Sequence, residues 1–113
     1  MPHIILECSN NIKNLDQINP LFDQIHHILE QELPTQLSSC KGRCLVYDRY
    51  FVGAGERENG FMHLTIKMLP GRTDETKQTL AAKLLQLLKE YFQQPKLSFS
   101  VELLDLNRHY YKS

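Results

Sequence analysis

The chain contains two similar stretches about 60 residues apart, and this internal repeat constrains the fold more than any other sequence feature. Residues 2–8 (PHIILEC) align with residues 62–68 (MHLTIKM), and both are short apolar runs with the composition of β-strands. A polar turn and then a helical pattern follow each run. The sequence therefore predicts one domain over residues 1–113, with an internal repeat at about 2–54 and 60–106.

Each half carries one helical pattern. In the first half Asn19 is the expected N-cap and Pro20 the first helical residue. In the second half Thr73 is the expected N-cap, and Asp74 and Glu75 fall in the first turn, where the helix dipole favours negative charge. The apolar residues at helical spacing are Leu21, Phe22, Ile25, Ile28 and Leu29 in the first half, and Leu80, Ala81, Leu84, Leu85, Leu88, Tyr91 and Phe92 in the second.

A further strand closes each half, at residues 43–52 and 97–106. Two strands joined by a helix are usually parallel, with a right-handed crossover. The predicted fold class is therefore α+β, with two fused β-α-β units that form a four-stranded mixed sheet and two helices on one face. The other face would be left in water by a single chain, so we expect sister subunits to cover it.

Composition excludes several classes of protein. The chain has 113 residues, and its 13 Lys and Arg balance its 13 Asp and Glu, which argues against a nucleic-acid or membrane-surface partner. No apolar run approaches the ~20 residues of a membrane span. The N-terminal segment lacks the basic region of a signal peptide. Three cysteines are few and odd in number, which favours a reducing cytoplasm.

The motifs for metals and nucleotides are missing from the sequence. Cys40 and Cys44 form a C-x3-C pair with no second pair at ligand spacing, so no metal site is predicted. The glycine-rich segment GAGERENG matches neither the P-loop nor the dinucleotide-binding pattern. The sequence therefore shows no motif for a nucleotide cofactor.

Pro2 directly follows Met1. Removal of the methionine would leave a secondary amine at the start of a strand. Free α-amino groups titrate near ~8, and both burial and cationic neighbours lower that value. Such an amine can act as a general base near neutral pH. The alternative is that this dipeptide has no functional meaning.

Three cationic residues are candidates for binding a carboxylate. Arg72 lies in the turn GRTDE before the second helix, where its guanidinium and free backbone amides could hold an anion together. Arg43 opens the second strand of the first unit, and Lys41 would point to the same side if the strand reaches that far. Each could instead be an ordinary solvated charge.

Two segments carry a resemblance to a known family. The opening MPHIILECSNNI and the segment HLTIKMLPGRTDETKQTL resemble the 5-carboxymethyl-2-hydroxymuconate delta-isomerase family of the tautomerase superfamily. The second segment is also similar to 4-oxalocrotonate tautomerase, whose shorter chain is one strand–helix–strand unit. The resemblance extends over nearly the whole chain, to about Leu106, and implies a homotrimer without a cofactor.

The resemblance also assigns roles. It implies that Pro2 is the catalytic base and that Arg72 and Arg43 bind the substrate. Lys41 stands where the isomerase pattern has another arginine, and a lysine binds only as a point charge. In the second unit Met62 stands in place of the proline, and Ser100 is matched to Arg43, so only one unit is expected to keep a working base.

The implied substrate is an unsaturated 2-hydroxy compound with two or more carboxylates, from catabolism of homoprotocatechuate-type aromatics. Pro2 would move a proton from the enol hydroxyl to a carbon further along the conjugated system. Three aromatic residues could form an apolar wall that excludes water from the site, or could simply pack in the fold: Phe51, Tyr110 and Tyr111. The polar tail NRHYYKS is expected to cross onto a neighbour or to fray.

Two other functions remain open at this stage. One is a tautomerase-superfamily enzyme with a different substrate, such as a phenylpyruvate-type keto–enol tautomerase or a dehalogenase-like relative. The other is a non-catalytic oligomeric binding protein that has kept the fold.

Overall fold

A computed structural model describes residues 2–113, so the predicted removal of Met1 concerns a residue outside the described range. The main elements are β1 (His3–Ser9), α1 (Ile18–Glu32), β2 (Lys41–Tyr47), β3 (Gly60–Met68), α2 (Asp74–Tyr91) and β4 (Leu97–Asp105). Short 3-10 turns at Leu15–Gln17 and Leu37–Ser39 precede α1 and β2. Within residues 2–113, neither helix combines the length and apolar composition that crossing a bilayer requires.

The four strands form one mixed sheet in the order β2-β1-β3-β4. β1 is parallel to β2, and β3 is parallel to β4, as expected for strands joined by a helix. The two central strands, β1 and β3, are antiparallel. The predicted α+β fold of two β-α-β units in one mixed sheet is confirmed.

The two units are related by an approximate two-fold axis through the middle of the sheet. Ile5 pairs with Thr65, its own counterpart 60 positions later, and His3 pairs with Lys67. Glu7 and His63 form the symmetry-related pair. Each strand of one unit therefore runs opposite to its counterpart in the other.

The core lies between one face of the sheet and the two helices. Alternate residues of the central strands are buried, as the two-residue period of a strand requires. They pack against a stripe of leucine and isoleucine on α1 and of leucine on α2, and each of these residues is at most 1% exposed. The central members of this core are Ile4, Leu6, Met62, Leu64, Ile66, Leu21, Ile25, Leu29, Leu80, Leu84 and Leu88. Among residues 2–113 no helix lies on the opposite face of the sheet, which is called the open face below.

The start of α1 differs from the prediction. α1 begins at Ile18, with Gln17 as its N-cap and no side-chain cap, so the assignment of Asn19 as N-cap is wrong. The 3-10 turn before it leads directly into the helix. Pro20 is tolerated at the third helical position because the first four N–H groups of a helix have no acceptor within it.

The bounds of the outer strands also differ from those predicted. The sequence predicts β2 over residues 43–52, whereas the strand spans Lys41–Tyr47. It ends at Tyr47 because its partner β1 ends at Ser9, the residue paired with Tyr47. β4 ends at Asp105, one residue earlier than expected.

The predicted cap of α2 is confirmed. The Thr73 hydroxyl oxygen accepts a hydrogen bond from the Thr76 backbone N–H at 3.1 Å, and Asp74 and Glu75 occupy the first turn. This cap fixes where the loop carrying Arg72 ends and the helix begins.

Replacing Thr73 with Ala is expected to lower the free energy of unfolding by about 1 kcal/mol, because the Thr76 N–H loses its acceptor. Thr79→Ala, at an exposed position within the same helix, is the matched control and should change stability by less than half as much. Urea denaturation of both variants measures the difference. Equal losses in the two variants would contradict the capping role.

Candidate active site

The residues singled out in the sequence come together at the end of the sheet where β1 begins. β1 and β2 are parallel and start at this end, whereas β3 and β4 finish there. Pro2 is buried immediately before β1, and its carbonyl accepts a hydrogen bond from the Lys41 backbone N–H at 3.1 Å. This end of the sheet is called the Pro2 end below.

Lys41 and Arg43 lie side by side on the open face at the Pro2 end. β2 begins at Lys41, which pairs with His3, and Arg43 pairs with Ile5. The Arg43 Nη1 lies 3.1 Å from His3 Nδ1 and donates a hydrogen bond to it. Arg43 is thus held beside the residue that follows Pro2.

His3 is surrounded by cations. Lys67 of β3 pairs with it on the side opposite Lys41. Burial is the largest cause that lowers the pKa of His3 below its usual value of 6.5. The charges of Arg43 and Lys41, and then that of Lys67, lower this pKa further. The Pro2 end of the open face is therefore cationic, although the chain as a whole is neutral.

Arg72 reaches the same end of the sheet on a different element. It lies between the end of β3 and Thr73, the N-cap of α2. Its Nη1 donates a hydrogen bond to the Leu69 carbonyl at 2.9 Å, so the half-buried side chain is held against its own loop. No hydrogen bond joins Arg72 to Pro2 or His3 within the described residues.

Of the three aromatic candidates, only Tyr110 lies against the Pro2 end. Its ring meets the His3 ring edge-on with centroids 5.7 Å apart. Phe51 follows the far end of β2 and is 80% exposed, and Tyr111 is 84% exposed. Of the two alternatives for Phe51, a wall of the site or simple packing, the first does not hold within one subunit, because the loop carrying Phe51 leaves the sheet at the opposite end.

The C-terminal tail folds back onto its own sheet. The Leu106 N–H donates to the Met68 carbonyl at 2.7 Å, and the Tyr110 N–H donates to the Asn107 carbonyl at 2.9 Å. The resulting turn brings the Tyr110 hydroxyl to 3.0 Å from His3 Nε2. The prediction that the tail frays is wrong for residues 107–110, and its crossing onto a neighbour stays a prediction.

The second unit carries different chemistry at the equivalent positions. His63 pairs with Ser100, and its Nδ1 lies 2.6 Å from the Ser100 hydroxyl. Its Nε2 lies 3.3 Å from a Glu102 carboxylate oxygen. By register, Ser100 is the counterpart of Lys41 and Glu102 that of Arg43, so the match of Ser100 to Arg43 was wrong by two residues.

Two residues of this end were not identified as site candidates from sequence. Lys67 is a lysine inside a largely apolar strand, and this contrast is the signal that the sequence offers. His3 belongs to no motif in the sequence that indicates a role in the site. Its hydrogen bonds to Arg43 and Tyr110 join residues 40 and 107 positions away, which no local pattern indicates.

The two cysteines that meet in the structure are not the two of the C-x3-C pattern. Cys44 lies beside Cys8, with sulfur atoms 4.0 Å apart, and Cys40 is not part of this contact. A hydrogen bond with Cys44 and burial raise the pKa of Cys8 far above its usual range. Among residues 2–113, no three His, Cys, Asp or Glu side chains come together as a metal site.

The fold is that of the tautomerase superfamily. The crystal structure of a 5-carboxymethyl-2-hydroxymuconate isomerase from Deinococcus radiodurans R1 superimposes with a TM-score of 0.87 at 22% identity, over 99% of this chain and 88% of that one. One chain of the symmetric trimer of a fused 4-OT superimposes with a TM-score of 0.76 at 18% identity, over 98% of this chain and 90% of that one.

The family follows from sequence. The family model for 5-carboxymethyl-2-hydroxymuconate isomerase matches residues 2–113, so the chain belongs to that family and is an isomerase. The 5-carboxymethyl-2-hydroxymuconate Delta-isomerase of Escherichia coli is 29% identical over 92 residues, which cover 81% of this chain and 73% of that protein.

Proposed function

We propose that this isomerase moves a proton within an unsaturated 2-hydroxy polycarboxylate of the 5-carboxymethyl-2-hydroxymuconate type, without a cofactor, in the catabolism of aromatic compounds. The observation that carries the proposal is the position of Pro2, buried at the one end of the sheet where Lys41, Arg43 and Lys67 gather. A base with several cations near it fits a substrate with several carboxylates. The names of the E. coli and D. radiodurans relatives support this substrate class.

Pro2 is the proposed general base. Once Met1 is removed, its nitrogen is a secondary amine, and both burial and the nearby cations disfavour a second proton on it. The neutral amine takes the proton of the enol hydroxyl, and the carbonyl forms as the double bonds shift along the conjugated chain. The protonated amine then gives that proton to the distant carbon. The base is regenerated, so no other reagent is consumed.

The cationic side chains hold the substrate and its developing charge. Arg43 presents a planar fork that can bind a carboxylate through two N–H groups, whereas Lys41 acts as a point charge. Arg72 lies next to the N-terminus of α2, whose free amides favour an anion. These groups are in place before the reaction, so they can stabilise the enolate as it forms.

A homotrimer is the proposed assembly. The symmetric trimer formed by the fused 4-OT supports it. The outer strands β2 and β4 each have one free edge, and Leu45 and Leu104 on the open face are 51% and 39% exposed. Sedimentation should give three times the 13.2 kDa chain mass. A monomer at micromolar concentration would contradict the assembly.

The proposed location is the cytoplasm. Its support is that Cys8, Cys40 and Cys44 are all free thiols. Free thiols persist in a reducing compartment.

Lys41 favours one alternative within the same superfamily. With a lysine in place of an arginine, the grip on a second carboxylate is weaker, and a monocarboxylate such as phenylpyruvate becomes a candidate substrate. Parallel assays on 5-carboxymethyl-2-hydroxymuconate, 2-hydroxymuconate and phenylpyruvate distinguish a polycarboxylate substrate from a monocarboxylate substrate. A protein that retains Met1 and turns over none of them would instead be a binding protein.

Replacing Pro2 with Ala should leave the fold intact and lower kcat by at least about 100-fold, because a primary amine at this point is more flexible and differently basic. Spectrophotometric turnover of 5-carboxymethyl-2-hydroxymuconate measures the loss. Intact mass must first confirm that Met1 is absent from both proteins. Unchanged turnover with the methionine removed would rule out Pro2 as the base.

Replacing Arg72 with Ala should raise KM for a polycarboxylate by about ten-fold, because a charge-assisted hydrogen bond is lost. KM for phenylpyruvate should change much less. Arg49→Ala is the control, since Arg49 is an exposed arginine in the loop at the opposite end of the sheet. Equal losses on both substrates would remove Arg72 from carboxylate binding.

A further inference from the structure

We propose that His3 is a positioning residue of this site: its neutral ring fixes the Arg43 guanidinium through Nδ1 and is itself fixed by the Tyr110 hydroxyl through Nε2. This inference rests on the proposed role of Arg43 in binding a substrate carboxylate. It assigns the C-terminal tail a part in substrate recognition, through a chain of two hydrogen bonds.

The identity of the donors fixes the state of the ring. A guanidinium has only N–H donors, so the Arg43 contact at 3.1 Å requires a lone pair on His3 Nδ1. A neutral ring with a free Nδ1 carries its hydrogen on Nε2. That hydrogen points at the Tyr110 oxygen, 3.0 Å away, which accepts it. The two contacts therefore agree on one protonation state and one tautomer.

The tail is built to present Tyr110 to His3. The Asn107 side-chain oxygen accepts a hydrogen bond from the His109 N–H at 2.8 Å, and the Asn107 carbonyl accepts from the Tyr110 N–H. Both bonds close the turn that follows Leu106. The edge-on contact of the Tyr110 and His3 rings then limits rotation of the imidazole.

The charges around His3 keep the ring neutral. On its own strand the same face carries Glu7, four residues further along, which accepts a hydrogen bond from the Tyr47 hydroxyl. The groups that face His3 from neighbouring elements are Lys41 and Arg43 on β2, Lys67 on β3 and Tyr110 on the tail.

Burial, and then these cations, lower the pKa of His3, so Nδ1 keeps its lone pair at neutral pH. If a proton is added to Nδ1, Arg43 loses its acceptor and faces another cation. Acidification through the lowered pKa of His3 is therefore expected to release Arg43.

The second unit offers a matched control. His63 occupies the equivalent position in β3, but its partners are Ser100 and Glu102. Within residues 2–113, neither of the hydrogen bonds of the His63 ring involves an arginine. A change at His63 alters the same kind of residue on the same face without touching Arg43.

Nuclear magnetic resonance of the ring nitrogens tests the tautomer without any need for turnover. In the unmodified protein at neutral pH, His3 should show hydrogen on Nε2 and none on Nδ1. In a pH titration the midpoint of His3 should lie below that of His27. The pKa of His27 is raised by a hydrogen bond to the Asp23 backbone and by the Asp23 charge. A hydrogen on Nδ1, or a midpoint at or above that of His27, would overturn the proposal whatever the role of Pro2.

Kinetics test the positioning role. His3→Phe removes the acceptor and should raise KM for the polycarboxylate by about ten-fold, with kcat changed much less. His3→Asn keeps an acceptor oxygen near the place of Nδ1 but cannot be protonated at this pH. It should restore most of the affinity and abolish the rise in KM on acidification.

His63→Phe should leave KM unchanged, and sedimentation of every variant checks that assembly is intact. Equal KM in His3→Phe and the unmodified protein, or equal losses in His3→Asn and His3→Phe, would overturn the positioning role. If Pro2→Ala shows full turnover while the ring tautomer and the KM pattern hold, the proposed base is wrong and the role of His3 stands.

Discussion

The antiparallel pairing of β1 with β3 is the constraint on which the rest of the structure depends. It joins the two β-α-β units into one sheet and sets the start of β1 beside the end of β3. The loop after β3 carries Arg72, so this pairing brings Arg72 to the end of the sheet where Pro2 lies. The parallel pairing of β2 then adds Lys41 and Arg43 at that end. A site made of residues far apart in sequence thus follows from two strand pairings.

Local features of this fold are readable from sequence, and the register between strands is not. The cap at Thr73 and the parallel order of strands around each helix follow from patterns within a few residues. The partner of a side chain across a sheet depends on register, which the repeat only approximates. A two-residue difference made Ser100 the apparent counterpart of Arg43, whereas the true counterpart is Glu102. The same limitation hid the pairing of Lys67 with His3.

The open face also shows why a neutral chain can hold a cationic site. Net charge is a sum over the chain and contains no information about position. On the open face Arg43 of the β2 edge corresponds to Glu102 of the β4 edge, so symmetric positions carry opposite charges. His3 and His63 consequently meet a guanidinium and a carboxylate respectively. The two units share a backbone plan, and under the proposed mechanism the differences in their side chains suit the first unit to a base that must stay unprotonated.

The central claim is that the Pro2 nitrogen is a free amine kept neutral by its surroundings. Nitrogen-15 resonance of protein labelled at proline measures this most directly, with the pH titration of Pro2 followed in the folded protein and again in denaturant. The account predicts an amine signal whose midpoint is lower in the folded protein than in the unfolded chain, because burial and nearby cations disfavour the added proton. An amide signal, or a midpoint in the folded protein equal to or above that of the unfolded chain, would contradict it.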